Sequence, residues 1–372
     1  MTISSLMSPL TLRSGVEVPN RIVMAPMVVL AADKDSGAVS EEMLEYFRLR
    51  SEVAGMIITE SAYVTEDGKG FGRQLSITSD EMLSGLTALA KTLKKDGAAA
   101  VIQLHHGGRE ALPVGEGGNR TVAPSAMEFE WLGFDPEEMT EEDIERIIAA
   151  FARATRRALE AGFDGVEVHG ANHYLLQQFF SPFSNRREDH WGGDEERRMA
   201  FPLAVLDAVL DEARQADRPF LVGYRISPDE IHGDTVGYTI DDSLALIDAV
   251  AGRHVDYLHL SLYEGYDCGP EDGRSFGKLA CTTVAGRCPV IVVGEIFTEE
   301  DAHKALEFGD LVALGRAALI EPQFARKIAE GRGEEIETSV AGRLDTLSFP
   351  KDLTEWFAVS GKEYLPPLPG IS

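Results

Sequence analysis

The chain has 372 residues, 44% of them hydrophobic and 8% aromatic, which is the composition of an ordinary globular protein and excludes a disordered one. Its 62 Asp+Glu against 35 Lys+Arg leave a formal net charge of -27, so nucleic acid and anionic membrane, both polyanions, are excluded as partners by repulsion. The three cysteines, Cys268, Cys281 and Cys288, lack C-x-x-C spacing, and no apolar run resembles a signal peptide or reaches membrane-spanning length; a reduced, cytoplasmic protein without an iron–sulfur cluster is expected.

In chain order, LRSGVEVPN (12–20) predicts a hairpin, and RIVMAPMV (21–28) a first strand. Strands follow at GMIITESAYV (55–64), AAAVIQLHH (98–106), GVEVHG (165–170) and FLVGYRIS (220–227), then at YLHLSL (257–262), PVIVVGEI (289–296) and DLVALGRAAL (310–319). Most are nearly continuous apolar runs, the pattern of strands covered on both faces. Amphipathic helices lie between them, at 140–162 (opened by a T-x-x-D capping box and closed at Gly162), 197–215, 240–252, 298–308 and 321–331.

Eight strands alternating with helical or helix-bearing segments predict an α/β chain folded as a single (β/α)8 TIM barrel over about residues 20–332, with the hairpin capping its bottom. The Gly- and Pro-rich stretch 107–139 is placed over the top, and residues 333–372 are read as an irregular extension ending in the extended segment LPPLPG. A doubly wound open sheet would show a Gly-rich phosphate turn after its first strand, where this chain has Pro26, Met27 and Val28.

Catalytic groups of such barrels sit at the C-terminal ends of the strands. Here those ends supply Pro26, Met27 and Val28; Glu60 and Ser61; Gln103, His105 and His106; His169, Asn172 and Tyr174; Arg225; Ser261 and Tyr263; Gly294 and Glu295; Gly315 and Arg316. Glycines at the last two ends, with Arg316 following, fit a phosphate grip made of exposed amides and a cation. Amide and cationic donors in the middle suit an anionic planar ring. His169 and His173 stand at i, i+4, but at a strand end with Gly170 and Ala171 between them, not on the helix that a metal pair at this spacing needs; no metal is expected. Glu60 and Glu167 are read as barrel packing or an internal ion pair, and His105 and His106 as a loop-holding residue and its neighbour.

The strand ends APM, QLHHGGR (103–109), GYRIS and ALGRAAL, together with VEVHGANHYLLQQFFSPFSNRREDHWGG, resemble the Old Yellow Enzyme family of FMN-dependent ene-reductases, in order, from Pro9 to Arg332. The resemblance implies FMN as cofactor, NADH or NADPH as reductant, and a small enone, nitro compound or quinone as substrate. It implies that His169 and Asn172 bind the substrate's carbonyl oxygen and that Tyr174 protonates its carbon. Gln103 and Arg225 become flavin contacts near the pyrimidine side, and Gly294, Gly315 and Arg316 the phosphate grip. Pro26 and Met27 line the flavin edge, and Ser61 falls where the family has Gly or Ala beside the ring. Two positions depart: Val28 stands where the family often has Thr or Cys hydrogen-bonded to the flavin, and Leu30 where some members place a substrate-pocket tyrosine.

Two rivals remain at this stage: a metal-free barrel lyase or isomerase acting on a phosphorylated substrate, and a flavin-binding protein without physiological turnover. The first needs a Schiff-base lysine or acid–base carboxylate, and no lysine stands at a strand end. A dienoyl-CoA reductase relative is disfavoured by the missing cysteine clusters and nucleotide domain. A homo-oligomer is a further expectation, with Arg343 in the tail placed to reach a neighbour.

Overall fold

Eight short, mostly apolar runs pair in parallel and close on themselves. In chain order they are β1 (Ile22–Met24), β2 (Met56–Tyr63), β3 (Ala99–His105), β4 (Gly165–Gly170), β5 (Leu221–Ile226), β6 (Tyr257–Leu260), β7 (Val290–Val293) and β8 (Leu311–Leu314). Ladder pairs Val312 with Ile22 and Val23 with Met56 join β8, β1 and β2, so the ring has no edge strand. The computed structural model describes residues 5–360 and 367–371. Among these, no helix is long and apolar enough to cross a membrane.

Side chains alternate along each strand and divide the core in two. Val23, Met56, Ile58, Val101, Ile291 and Leu311 point inward, where they meet Leu12, Val16 and Val18 of the N-terminal hairpin (Leu10–Thr11 with Glu17–Val18). That hairpin closes the bottom of the barrel. The outward residues, such as Ile57, Ile102, Val166 and Val222, belong to the larger core under the helices.

A helix follows each strand: α1 (Glu41–Leu49), α2 (Leu83–Leu93), α3 (Glu141–Glu160), α4 (Glu195–Ala213), α5 (Ile240–Gly252), α6 (Phe276–Val284), α7 (Glu299–Ala305) and α8 (Phe324–Ala329). Thr140 and Asp143 cap α3 reciprocally, as do Thr298 and Asp301 on α7, so the orphan amides of those first turns are satisfied locally. The sequence reading missed α1, α2 and α6.

Three sequence expectations are corrected. The first strand stops at Met24, because Pro26 brings no N–H to continue the ladder; Ala25 makes the last bond, to the Leu314 carbonyl (3.0 Å). The run 310–319 is a strand only to Leu314; beyond Gly315, Arg316–Ile320 form a helix, as its Ala-Ala-Leu content favours. The helix expected over 321–331 shrinks to α8, and the tail, expected to be irregular, holds a short helix at Lys351–Glu355. Buried Arg50 anchors the Arg316–Ile320 helix, donating to the carbonyls of Ala318 (3.1 Å) and Leu319 (3.1 Å) and also to those of Tyr46 and Leu347. Of the LPPLPG segment, Leu365 and Pro366 lie outside the described residues; the Pro369 carbonyl accepts the Val340 amide (2.9 Å) and Leu368 is buried.

Candidate active site

The end of β4 turns through an unusual backbone. Asn172 (φ 58°) and His173 (φ 64°) adopt consecutive left-handed conformations, a strain that non-glycine residues take up where neighbours enforce it. The turn sends Asn172 to the mouth of the barrel and brings Tyr174 back over His169, their ring centroids 5.0 Å apart and edge to face. Ser227 Oγ accepts the Asn172 amide (3.0 Å) and holds the turn. Ser261 Oγ donates to Asn172 Oδ1 (2.6 Å), so the side-chain NH2 is the half left to face a ligand.

His169 is buried, and its Nδ1 accepts the Ala171 amide (3.3 Å), which places the ring proton on Nε2. Burial, reinforced by the charge of Arg225, pushes its pKa far below the usual value, so the ring is a neutral donor. Tyr174 is moved the other way: burial, with Glu110 adding to it, raises the phenol above its ordinary value. A neutral imidazole N–H, an oriented carboxamide and a protonated phenol thus share one end of β4.

Beside them the inward residues form a polar row. Ser61 is opposite Gln103 in the β2–β3 ladder, Gln103 opposite Glu167 in β3–β4, and His169 opposite Arg225 in β4–β5. Gln74 donates to Ser61 Oγ (3.0 Å). Arg225 is buried and its Nε has no hydrogen-bond partner, an arrangement that calls for an electron-rich ligand.

A second group lies at the ends of β7 and β8. Gly294 has φ 108°, and a Cβ there would stand 2.8 Å from the Gly265 Cα, so both position and conformation demand glycine. At Gly315 an added Cβ would meet nothing within 4 Å: the backbone faces open space. Arg316 pairs with Glu295, donates to the Pro367 carbonyl (3.1 Å) and stacks over Phe297. Pro26, Met27 and Val28 link the two groups, since β1 stands between β8 and β2.

Glu60 holds that linking segment, its Oε2 accepting the Val29 amide (2.7 Å). Burial pushes its carboxyl up to about 8 from the ordinary 4.5. With the folded value above the unfolded one, its contribution to stability is complete below pH 4.5 and is lost as pH rises through about 8. Glu60→Gln removes this linkage. Relative to the variant, the wild type should lose up to about 1.4 kcal/mol per pH unit across that window, read from denaturant midpoints at several pH values. Parallel pH profiles for the two proteins would refute the assignment.

The remaining residues hold loops. His106 Nδ1 accepts the Gly108 amide (3.0 Å), whereas His105 stacks edge to face on Tyr174 at 4.3 Å and belongs to the site wall. His173 turns away from His169: its Nδ1 lies 3.8 Å from Glu230, which also bonds His232 (2.7 Å) and so ties the Glu230–Tyr238 hairpin to the β4 loop. Phe129 and Trp131, from the 107–139 stretch, pack with Phe183 and Arg109 at the same end of the barrel. Arg343 donates to the Ile320 carbonyl (3.1 Å) within the chain. Sequence reasoning missed Gln74, Ser227 and His259 as site-building residues; the signal for His259 was a polar residue at an inward position between Leu258 and Leu260.

Comparison with known proteins gives consistent results. A profile of the NADH:flavin oxidoreductase / NADH oxidase family matches residues 5–335. The chain is 44% identical over 342 residues to a probable NADH-dependent flavin oxidoreductase of Bacillus subtilis (strain 168), covering 91% of each. It is 44% identical over 334 residues to an NADH:acrylate oxidoreductase of Vibrio harveyi, covering 87% of this chain but only 33% of that protein, so it spans about a third of the relative's length. Among solved structures, morphinone reductase in complex with tetrahydroNAD superposes with a TM-score of 0.75 at 29% identity, over 88% of this chain and 91% of that one.

Proposed function

Because the chain belongs to the NADH:flavin oxidoreductase / NADH oxidase family, that of Old Yellow Enzyme and its relatives, we propose that this FMN-dependent, NAD(P)H-using oxidoreductase reduces activated carbon–carbon double bonds of α,β-unsaturated carbonyl or nitro compounds. The observation that carries the reading is the buried Arg225 with its orphaned Nε, lying in the ladder beside a neutral His169. The residues fit FMN: Arg225 and Gln103 would face its pyrimidine side, and Pro26, Met27, Val28 and Ser61 its edge. Gly294, Gly315 and Arg316 would take its phosphate, Gly315 offering open space for it.

When bound, the flavin supplies the hydride it has taken from the nicotinamide. The chain's own groups do the rest. His169 Nε2–H and the Asn172 NH2 bind the substrate's carbonyl or nitro oxygen, and these bonds strengthen as negative charge develops there. Tyr174 delivers the proton to the α-carbon, and its raised pKa keeps that proton in place until a carbanion-like centre forms.

The test is direct. The purified protein should be yellow, lose its colour anaerobically with NADH or NADPH, and regain it with a small enone. A bleached protein that enones, nitroalkenes and quinones all fail to reoxidise would end the double-bond reading and favour a flavoprotein without this turnover. A colourless protein that takes up no FMN would end the flavin reading.

Val28 should matter for the potential. A Thr hydroxyl there could donate to the flavin, favouring its electron-rich reduced form, whereas the isopropyl group cannot. Val28→Thr is therefore expected to raise the midpoint potential by about 30 mV, a tenfold change in a two-electron equilibrium, read against reference dyes. An unchanged potential would sink the idea.

A further inference from the structure

Beneath Arg225 lies a fully buried carboxylate that the mechanism above does not use. Glu167 points inward from β4, and both its oxygens are taken: Oε1 by the Gln103 side-chain NH2 (2.6 Å) and Oε2 by His259 Nδ1 (2.9 Å). His259 comes from β6, two strands away. Across the ladders Glu167 is opposite Gly223 of β5, which is in turn opposite Tyr257 of β6; the missing side chain leaves room for the Tyr257 ring, and a Cβ there would lie 2.1 Å from Tyr257 Cζ. Arg225, two residues along β5, is opposite His169 on one side and His259 on the other.

Such a carboxylate is a strong competitor for the guanidinium beside it, since a buried ion gains most from the nearest opposite charge. Yet Arg225 forms no ion pair with it among the described residues. Instead, Gln103 and His259 occupy the carboxylate's two oxygens. Burial alone would raise the Glu167 carboxyl, but His259, Arg225 and Gln103 hold it below its ordinary value. Burial keeps the His259 ring neutral, so Nδ1–H is the donor, and Nε2 is left buried without a partner.

We propose that His259 is a positioning residue for the flavin: by occupying one oxygen of Glu167 it prevents that carboxylate from capturing Arg225, keeps the guanidinium facing the cofactor, and so sets the flavin's reduction potential. The inference rests on the flavin reading above. It concerns the balance of one anion between two donors, not the folding of the barrel.

The experiment equilibrates the flavin-loaded protein with reference dyes. His259→Leu frees Glu167 to draw Arg225 away, and the equilibrium should shift at least tenfold toward oxidised flavin, about 30 mV for a two-electron couple. His259→Asn, whose amide NH2 stands near the Nδ1 position, should retain the wild-type potential; His259→Gln, whose amide reaches the Nε2 position instead, should not. If the leucine variant fails to fold, this pair decides alone. Adding Glu167→Gln to the shifted variant removes the competing anion and should restore the potential. A wild-type potential in both His259→Leu and His259→Gln would overturn the proposal. So would a Glu167→Gln double variant as shifted as its parent. A wild-type protein that binds no FMN overturns instead the functional reading on which the proposal stands.

Discussion

Tyr174→Phe is expected to slow reoxidation of the reduced protein by an enone by about 10²- to 10⁴-fold, the usual worth of a positioned general acid, while reduction by nicotinamide proceeds nearly as before. The substitution removes one oxygen and little else. The ring's edge-to-face contacts with His105, His169 and Phe71 survive in phenylalanine. The residue's cap role at the Leu175–Phe180 helix is a backbone one. No neighbour can substitute as acid: His105, fully buried, is pushed down to about 3, and His169 is also driven below its ordinary value, so neither ring carries a spare proton at neutral pH. Because burial raises the phenol, the wild-type rate should stay flat through the ordinary tyrosine range near pH 10. Anaerobic stopped-flow separates the two half-reactions; an equal loss in both would mean that the variant damages the site and that Tyr174 is no acid.

How far the sequence carried this site depends on the range of the interaction in question. The barrel was legible because continuous apolar runs of the right length can be buried only between two layers, and because the capping box at Thr140 marks its helix start. Strand-end residues were legible because a parallel barrel has one functional face. What escaped was set by contacts between distant segments. Nothing near Arg50 says that its guanidinium will bind carbonyls almost 270 residues away. Nothing near Arg343 says that Ile320 will use it. The Glu167–His259 pair joins β4 to β6 across β5, 92 residues apart in the chain, and nothing near either residue announces it. The run 310–319 was misread for a local reason: a buried helix and a buried strand are equally apolar, and only length and Ala content separate them.

The carbonyl-binding pair gives the second large effect. His169→Ala should lower kcat/KM for an enone by about 10²- to 10³-fold, as expected for one donor aimed at a developing oxyanion. For Asn172 the choice of replacement matters, because φ 58° would strain an alanine; Asn172→Gly keeps the left-handed turn and removes only the carboxamide. It should cost a similar factor. The two donors serve one oxygen, so the double variant should lose less than the product of the two single losses. Ser261→Ala tests orientation separately from donation. The serine hydroxyl fixes Asn172 Oδ1 away from the ligand. Without it the amide can turn its oxygen toward the substrate, and a loss of about tenfold is expected, smaller than that from deleting the side chain. If Asn172→Gly and Ser261→Ala both leave kcat/KM unchanged, His169 alone binds the oxygen, and the left-handed turn at 172 serves only to return the chain to Tyr174.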